Sequence, residues 1–63
     1  MKKTLTVDVE TEDDAFEISV LEGESGNSFH YGPVKYNSYT WKEGATKTGM
    51  EIMSWVAIML DEN

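Results

Sequence analysis

Lys3 to Glu24 reads KTLTVDVETEDDAFEISVLEGE. Leu5, Val7 and Val9 alternate with Thr4, Thr6, Asp8 and Glu10, and after Thr11-Glu12-Asp13-Asp14 the alternation resumes as Phe16, Ile18 and Val20 against Glu17 and Ser19. Period-two alternation on both sides of a polar turn predicts an antiparallel hairpin with one apolar face. The pattern pairs Val9 with Phe16, Val7 with Ile18 and Leu5 with Val20, and Thr6 with Ser19 on the solvated face. It also sets Asp8 opposite Glu17, with Glu10 next in line. Like charges directly opposed across strands cost stability, so their presence in a small chain is a functional clue.

Sixty-three residues predict a single domain, residues 1–63. A chain this short buries only about 60% of its unfolded surface. It has no cysteine, so neither a disulfide nor a thiolate metal site braces it. The core must come from one sheet face and one helix, or be extended by a partner or a second copy. Lack of cysteine fits a reducing compartment. Met1-Lys2-Lys3 opens like a signal peptide, but no apolar run follows it. The longest apolar run, Trp55 to Leu60, is too short to span a bilayer. A cytoplasmic location is therefore expected.

Twelve acids against five bases give a net charge of −7. Nucleic acid and anionic membrane both require cationic surface and are excluded as direct partners on that ground. A basic protein surface is favoured, with encounter sped by long-range attraction. The charge is also segregated. Asp8, Glu10, Glu12, Asp13, Asp14, Glu17, Glu22 and Glu24 fall within seventeen residues, and no lysine or arginine occurs between positions 4 and 34. A device for solubility alone would mix the signs more evenly.

Glu22-Gly23-Glu24-Ser25-Gly26-Asn27 reads as a turn or flexible loop. A third strand is expected at Ser28 to Tyr31, with Phe29 and Tyr31 inward and Ser28 and His30 outward. Gly32-Pro33 interrupts it and suits an edge strand or a bulge, since Pro33 has no N–H to donate. Val34-Lys35-Tyr36 continues beyond the bulge, and Asn37-Ser38 reads as a turn. Ile52, Met53, Val56, Met59 and Leu60 then recur at helical spacing. Two capping-box patterns could begin this helix, Thr40 with Glu43 and Thr48 with Glu51. Extending the phase backwards puts Trp41, Ala45 and Gly49 on the stripe of Ile52 and Val56, which favours a helix from about Thr40 to Asp61. Gly44 and Gly49 oppose it, each by up to about 1 kcal/mol; Ala45 and Gly49 would in return let the helix approach the sheet closely. The alternative division has a short fourth strand near Tyr39-Thr40-Trp41 and a helix from Thr46 or Thr48.

No catalytic residue is assigned. His30 lies on the outward parity of an edge strand, and no spacing marks a nucleophile or orienting acid beside it. Asp8-x-Glu10-x-Glu12-Asp13 lacks the glycine and the distal glutamate of a calcium loop, so no metal and no cofactor are assigned. Phe29, Tyr31, Tyr36, Tyr39, Trp41 and Trp55 are expected mostly as core or half-buried supports. Trp55, on the margin of the helix stripe, is the best candidate contact anchor. Met50 and Ile58 fall on the polar side of the helix and Leu21 on the outward side of the second strand. Trp55 with Ile58 forms a candidate secondary apolar contact.

The expected fold is α+β: an antiparallel sheet of three strands, or four under the alternative division, with one C-terminal helix across one face. The helix covers Leu5, Val7, Val9, Phe16, Ile18 and Val20 and leaves Asp8, Glu10 and Glu17 in water. A short, cysteine-free, strongly acidic domain with carboxylates along a sheet face resembles the small phage-encoded inhibitors that mimic DNA, the anti-restriction and anti-CRISPR proteins among them. The likeness lies in size, composition and layout rather than in a motif. It implies stoichiometric blocking of a basic nucleic-acid-binding groove, without chemistry. Carboxylates two residues apart in a strand lie about 7 Å apart, a scale suited to lysines and arginines placed for phosphates. Asp8, Glu10 and Glu17 form the flat part of that surface, Glu12, Asp13 and Asp14 its tip, and Glu22 and Glu24 its far end. The competing expectation is a structural or accessory protein acting through an apolar helix face, including self-association.

Overall fold

The computed structural model describes residues 4–23 and 26–61. In chain order these form β1 (Leu5–Glu12), β2 (Ala15–Glu22), β3 (Ser28–Lys35) and α1 (Ser38–Asp61). The strands make one antiparallel sheet in the order β1-β2-β3, and α1 packs on one face of it. The α+β expectation holds with three strands. The stretch proposed as a fourth strand, Tyr39-Thr40-Trp41, is helical.

The hairpin is tighter than the alternation suggests. Its turn is Asp13-Asp14, with Asp13 at φ 55°, a left-handed conformation that aspartate tolerates better than most residues. The pairs are Val7 with Val20, Val9 with Ile18, Glu10 with Glu17 and Leu5 with Glu22. Every partner is therefore displaced by two residues from the expected register. A shift of two preserves which face each side chain occupies, whereas a shift of one would invert it. The alternation consequently predicts the faces correctly and the pairing wrongly. Glu10, not Asp8, opposes Glu17, and Glu22 falls on the helix face.

β3 continues past Gly32-Pro33 through a bulge. Phe16 pairs with Val34 and Ile18 with Tyr31, so β3 carries one extra residue opposite Glu17. The extra residue resets the parity and turns Val34 to the same side as Phe29 and Tyr31. Gly32 sits at φ 95°, and a Cβ there would lie 2.7 Å from the Phe16 carbonyl oxygen. Only glycine fits that position.

Neither expected capping box begins the helix. Asn37 is the cap: its Oδ1 accepts from the Thr40 N–H at 2.9 Å, and its backbone N–H donates to Thr40 Oγ1 at 3.1 Å. The Thr40 hydroxyl in turn donates to the Lys35 carbonyl at 2.6 Å. This reciprocal arrangement satisfies the first turn and ties it to the end of β3.

The buried apolar core is small: Phe16, Ile18 and Val20, all from β2. Phe16 is its centre, with ring centroids 6.0 Å from Tyr31, 6.1 Å from Tyr36 and 5.4 Å from Trp41. On the helix it is Gly44 and Thr48 that are buried, not the expected Ala45 and Gly49, which are exposed. Each buried position precedes the expected one by one residue, a rotation of about 100°. Tyr31 causes it. Its hydroxyl donates to Glu43 Oε1 at 2.8 Å and contacts the Thr40 carbonyl oxygen at 3.3 Å. A Cβ on Gly44 would lie 2.8 Å from the Tyr31 ring, so a helix position without a side chain passes over it. The helix packs on β3 and β2. Val7 and Val9, expected under the helix, remain 48% and 52% exposed.

Two outcomes follow for stability. Gly49→Ala should raise the thermal midpoint, because nothing lies within 4 Å of the added methyl and alanine is the better helix former by up to about 1 kcal/mol. Gly44→Ala should lower it despite the same propensity gain, because the ring must move. In addition, Thr48 Oγ1 is buried without a hydrogen-bond partner among the described residues. Thr48→Val should therefore stabilise the fold by about 1 kcal/mol in denaturant titration.

Candidate functional site: the outer sheet face

The face of the sheet turned away from α1 carries Thr6, Asp8, Glu10 and Glu12 from β1. From β2 it carries Ala15, Glu17, Ser19 and Leu21, and from β3 Ser28, His30 and Lys35, as the register requires. The alternation that buries Phe16, Ile18 and Val20 thus places Asp8, Glu10, Glu12 and Glu17 together in solvent. Asp13 and Asp14 extend this surface at the turn and are exposed. Six of the eight acids expected to form one surface are brought together. Glu22 is not among them: β2 runs on through it, and its parity with Phe16, Ile18 and Val20 puts it on the helix face, opposite Leu5, where it is 8% exposed. Glu24 lies outside the described residues.

Glu10 and Glu17 meet directly across the hairpin. The Glu10 carboxyl is held above the usual carboxylate range. Its hydrogen bond to Glu17 is the first cause and the negative charge of Glu17 the second, with smaller contributions from partial desolvation and Asp8; His30 opposes them. Among the described residues, Asp8, Glu10 and Glu12 have no lysine within ion-pair distance. Lys35 approaches Asp14 at 3.9 Å, with both side chains about three-quarters exposed, so that pair is worth little. Lys47 stands 6.0 Å from the Tyr31 ring centroid on the opposite face.

The structure also brings together a group that the sequence does not reveal. Ser19 Oγ lies 3.0 Å from His30 Nδ1, and His30 Nε2 lies 3.3 Å from Glu17 Oε2. The signal for it is the β2–β3 register, which puts Ser19 opposite His30 but depends on the bulge. A neutral imidazole satisfies both contacts, accepting from the serine hydroxyl and donating to the carboxylate. The three side-chain types are those of a hydrolytic triad, but the setting is different. They lie on an open sheet face, His30 is exposed, and β2 is paired on both sides, which commits its amides to the ladders rather than to an oxyanion. The line tethers Glu17 across the face.

Of the expected apolar contacts, Ile58 is 56% exposed, whereas Trp55 is half-buried on the side of α1 that carries Gly44 and Thr48. Among the described residues no group of three or more His, Cys, Asp or Glu is arranged to hold a metal ion, and no helix is long and apolar enough to cross a membrane. Comparison with family models, curated proteins and solved structures found no match.

The raised pKa of Glu10 has a signed consequence. Its folded form holds a proton more tightly than the unfolded chain. The stability linked to it is present below the usual value of 4.5 and lost as pH rises through the folded value. Glu10→Gln should therefore melt at a higher temperature than the parent at pH 7, and the difference should close as the pH approaches about 4.

Proposed function

We propose that the protein is a non-enzymatic, acidic binding protein that occupies and blocks a basic, nucleic-acid-binding surface of another protein. The observation that supports this most is the cross-strand meeting of Glu10 and Glu17 beside Asp8, kept in a fold with three buried apolar side chains among the described residues. Like charges placed opposite one another weaken a hairpin. A cationic partner removes that repulsion, so the same arrangement that costs stability in the free protein strengthens the complex.

The spacing suits the role. Asp8, Glu10 and Glu12 follow one another along β1 at about 7 Å, and Glu17 stands about one strand spacing, roughly 5 Å, to the side. Lysine and arginine side chains positioned for two rows of phosphates find carboxylates at comparable distances, and Asp13 and Asp14 carry the row round the tip. Arginine binds a carboxylate through the same two-pronged geometry it uses for a phosphate. Affinity of this kind depends on salt, because the interacting charges are exposed and screened within about 8 Å at physiological ionic strength.

A binding series with the immobilised protein tests the proposal. Basic proteins retained from a host extract at low salt should be released on raising it to about 0.5 M, and duplex DNA should displace them. Charge reversal of Asp8, Glu10 and Glu17 to lysine should weaken binding by about 100-fold or more, since each lost charge-assisted contact is worth roughly 1.5–3 kcal/mol. Binding that survives the triple reversal, or that ignores salt, would exclude the acidic face as the contact surface.

A further inference from the structure

β1 is an edge of the sheet. Among the described residues the strand order is β1-β2-β3, so β1 is paired on one side alone. One bond fixes which of its backbone groups face the open side. The Gly23 N–H donates to the Thr4 carbonyl at 3.2 Å, and these residues stand opposite each other when the register of Leu5 with Glu22 is continued by one. Hydrogen-bonded pairs alternate along an antiparallel ladder. Thr6, Asp8, Glu10 and Glu12 therefore direct their N–H and C=O groups at β2, and Leu5, Val7, Val9 and Thr11 direct theirs outward. The two-residue turn at Asp13-Asp14 requires the same phase, since Glu12 and Ala15 close it.

The two edges of the sheet differ. β3 carries a bulge and Pro33, and both discourage further pairing. β1 keeps a regular register over all eight residues and contains no glycine, proline or lysine. Charge of one sign is its protection. Asp8, Glu10 and Glu12 line one side of the strand. Val7 and Val9 line the other, 48% and 52% exposed, while α1 packs on β3 and β2.

We propose that the open edge of β1 binds an extended segment of a basic partner, added antiparallel as a fourth strand, in which lysine or arginine alternates with apolar residues. This presupposes the acidic-face reading above and specifies the kind of partner segment that supplies its cations.

Charge complementarity and the phase of the edge together select this occupant. In an antiparallel addition Val7, Val9 and Thr11 form the hydrogen-bonded pairs. Asp8, Glu10 and Glu12 then fall at the non-hydrogen-bonded pairs, where facing side chains approach most closely. An incoming residue opposite an acid projects onto the acidic face, and one opposite Val7 or Val9 projects onto the helix face. Cations are favoured at the first set and apolar side chains at the second. A cation opposite Glu10 also offsets the repulsion between Glu10 and Glu17, which meet on the other side of the strand. A second copy fails this requirement. Antiparallel pairing of β1 with β1, in any register that keeps the valines on one side, sets acids against acids in chains that each carry −7.

Synthetic peptides test the proposal on the intact chain. The probe is Lys-Val-Lys-Val-Lys-Val-Lys, with a blocked isomer, four lysines followed by three valines, as the control of equal charge. Calorimetric titration should show the alternating peptide binding about tenfold or more tighter, and only that peptide should slow hydrogen exchange at the Val7 and Val9 amides. In the antiparallel arrangement the valine amides of the peptide bond β1 and the lysine amides point away. N-methylation of the valines should therefore weaken binding by about tenfold or more, and N-methylation of the lysines should not. Val9→Pro removes an outward donor and no bond to β2, so it should weaken the alternating peptide and leave the blocked one unchanged. The methylated peptides decide the matter if that variant does not fold. Equal binding of both isomers, without protection of Val7 and Val9, overturns edge addition while sparing the acidic face. No binding of either peptide at low salt overturns both. Protection of the Val7 and Val9 amides in the protein alone, appearing as its concentration rises, gives the edge to a second copy and overturns the proposal.

Discussion

Packing around the Phe16 ring is the constraint on which the rest of the structure depends. Phe16 sits on the central strand and receives Tyr31 from β3, Tyr36 from the connection and Trp41 from the first turns of α1. Aromatic contacts of this kind each contribute about 0.5–1.5 kcal/mol beyond the area they bury. Among the described residues, only Ile18 and Val20 are apolar side chains buried beside it, so the helix is held chiefly at this one centre. The bulge at Gly32 and the cap at Asn37 both serve the same junction. One lets Val34 turn inward opposite Phe16, and the other starts the helix where Trp41 can reach the ring.

Tyr31 converts that junction into an orientation. Its ring occupies the space beneath Gly44, and its hydroxyl engages Glu43, whose carboxyl it holds below the usual range. The two contacts act in the same sense, since a charged carboxylate accepting a hydrogen bond resists rotation of the helix away from it. The helix therefore docks by Trp41, a polar contact and a glycine; of its apolar stripe, Ile52, Val56 and Met59 are half-buried and Met53 and Leu60 face solvent. A small domain that buries little surface on folding has marginal stability, and Met53 and Leu60 facing solvent add to the apolar surface left exposed.

The two faces consequently have opposite characters. One gathers carboxylates that repel one another; the other exposes valine, methionine and leucine. Each face is unfavourable in the isolated chain and improves on contact, one with cations and the other with an apolar surface. The two can be occupied together because the sheet lies between them.

Period-two alternation in Leu5–Glu12 and Ala15–Glu22, and helical spacing from Ile52 onward, determined the element types, the strand order of the hairpin and the outward placement of Asp8, Glu10, Glu12 and Glu17. Those are local properties: a pleated strand sends neighbouring side chains to opposite faces whatever surrounds it. The sequence by itself left open the hairpin register, because pairings two residues apart bury the same side chains and differ only in the turn. Tertiary structure chose the tighter turn at Asp13-Asp14, which set Glu10 against Glu17 and Leu5 against Glu22. It also chose the helix rotation. Periodicity identifies the apolar stripe of a helix but assumes that the stripe faces the core. Here the space over β3 is filled by the Tyr31 ring, a residue far from Gly44 in the chain, and only steric fit between the two could decide which side of the helix meets the sheet.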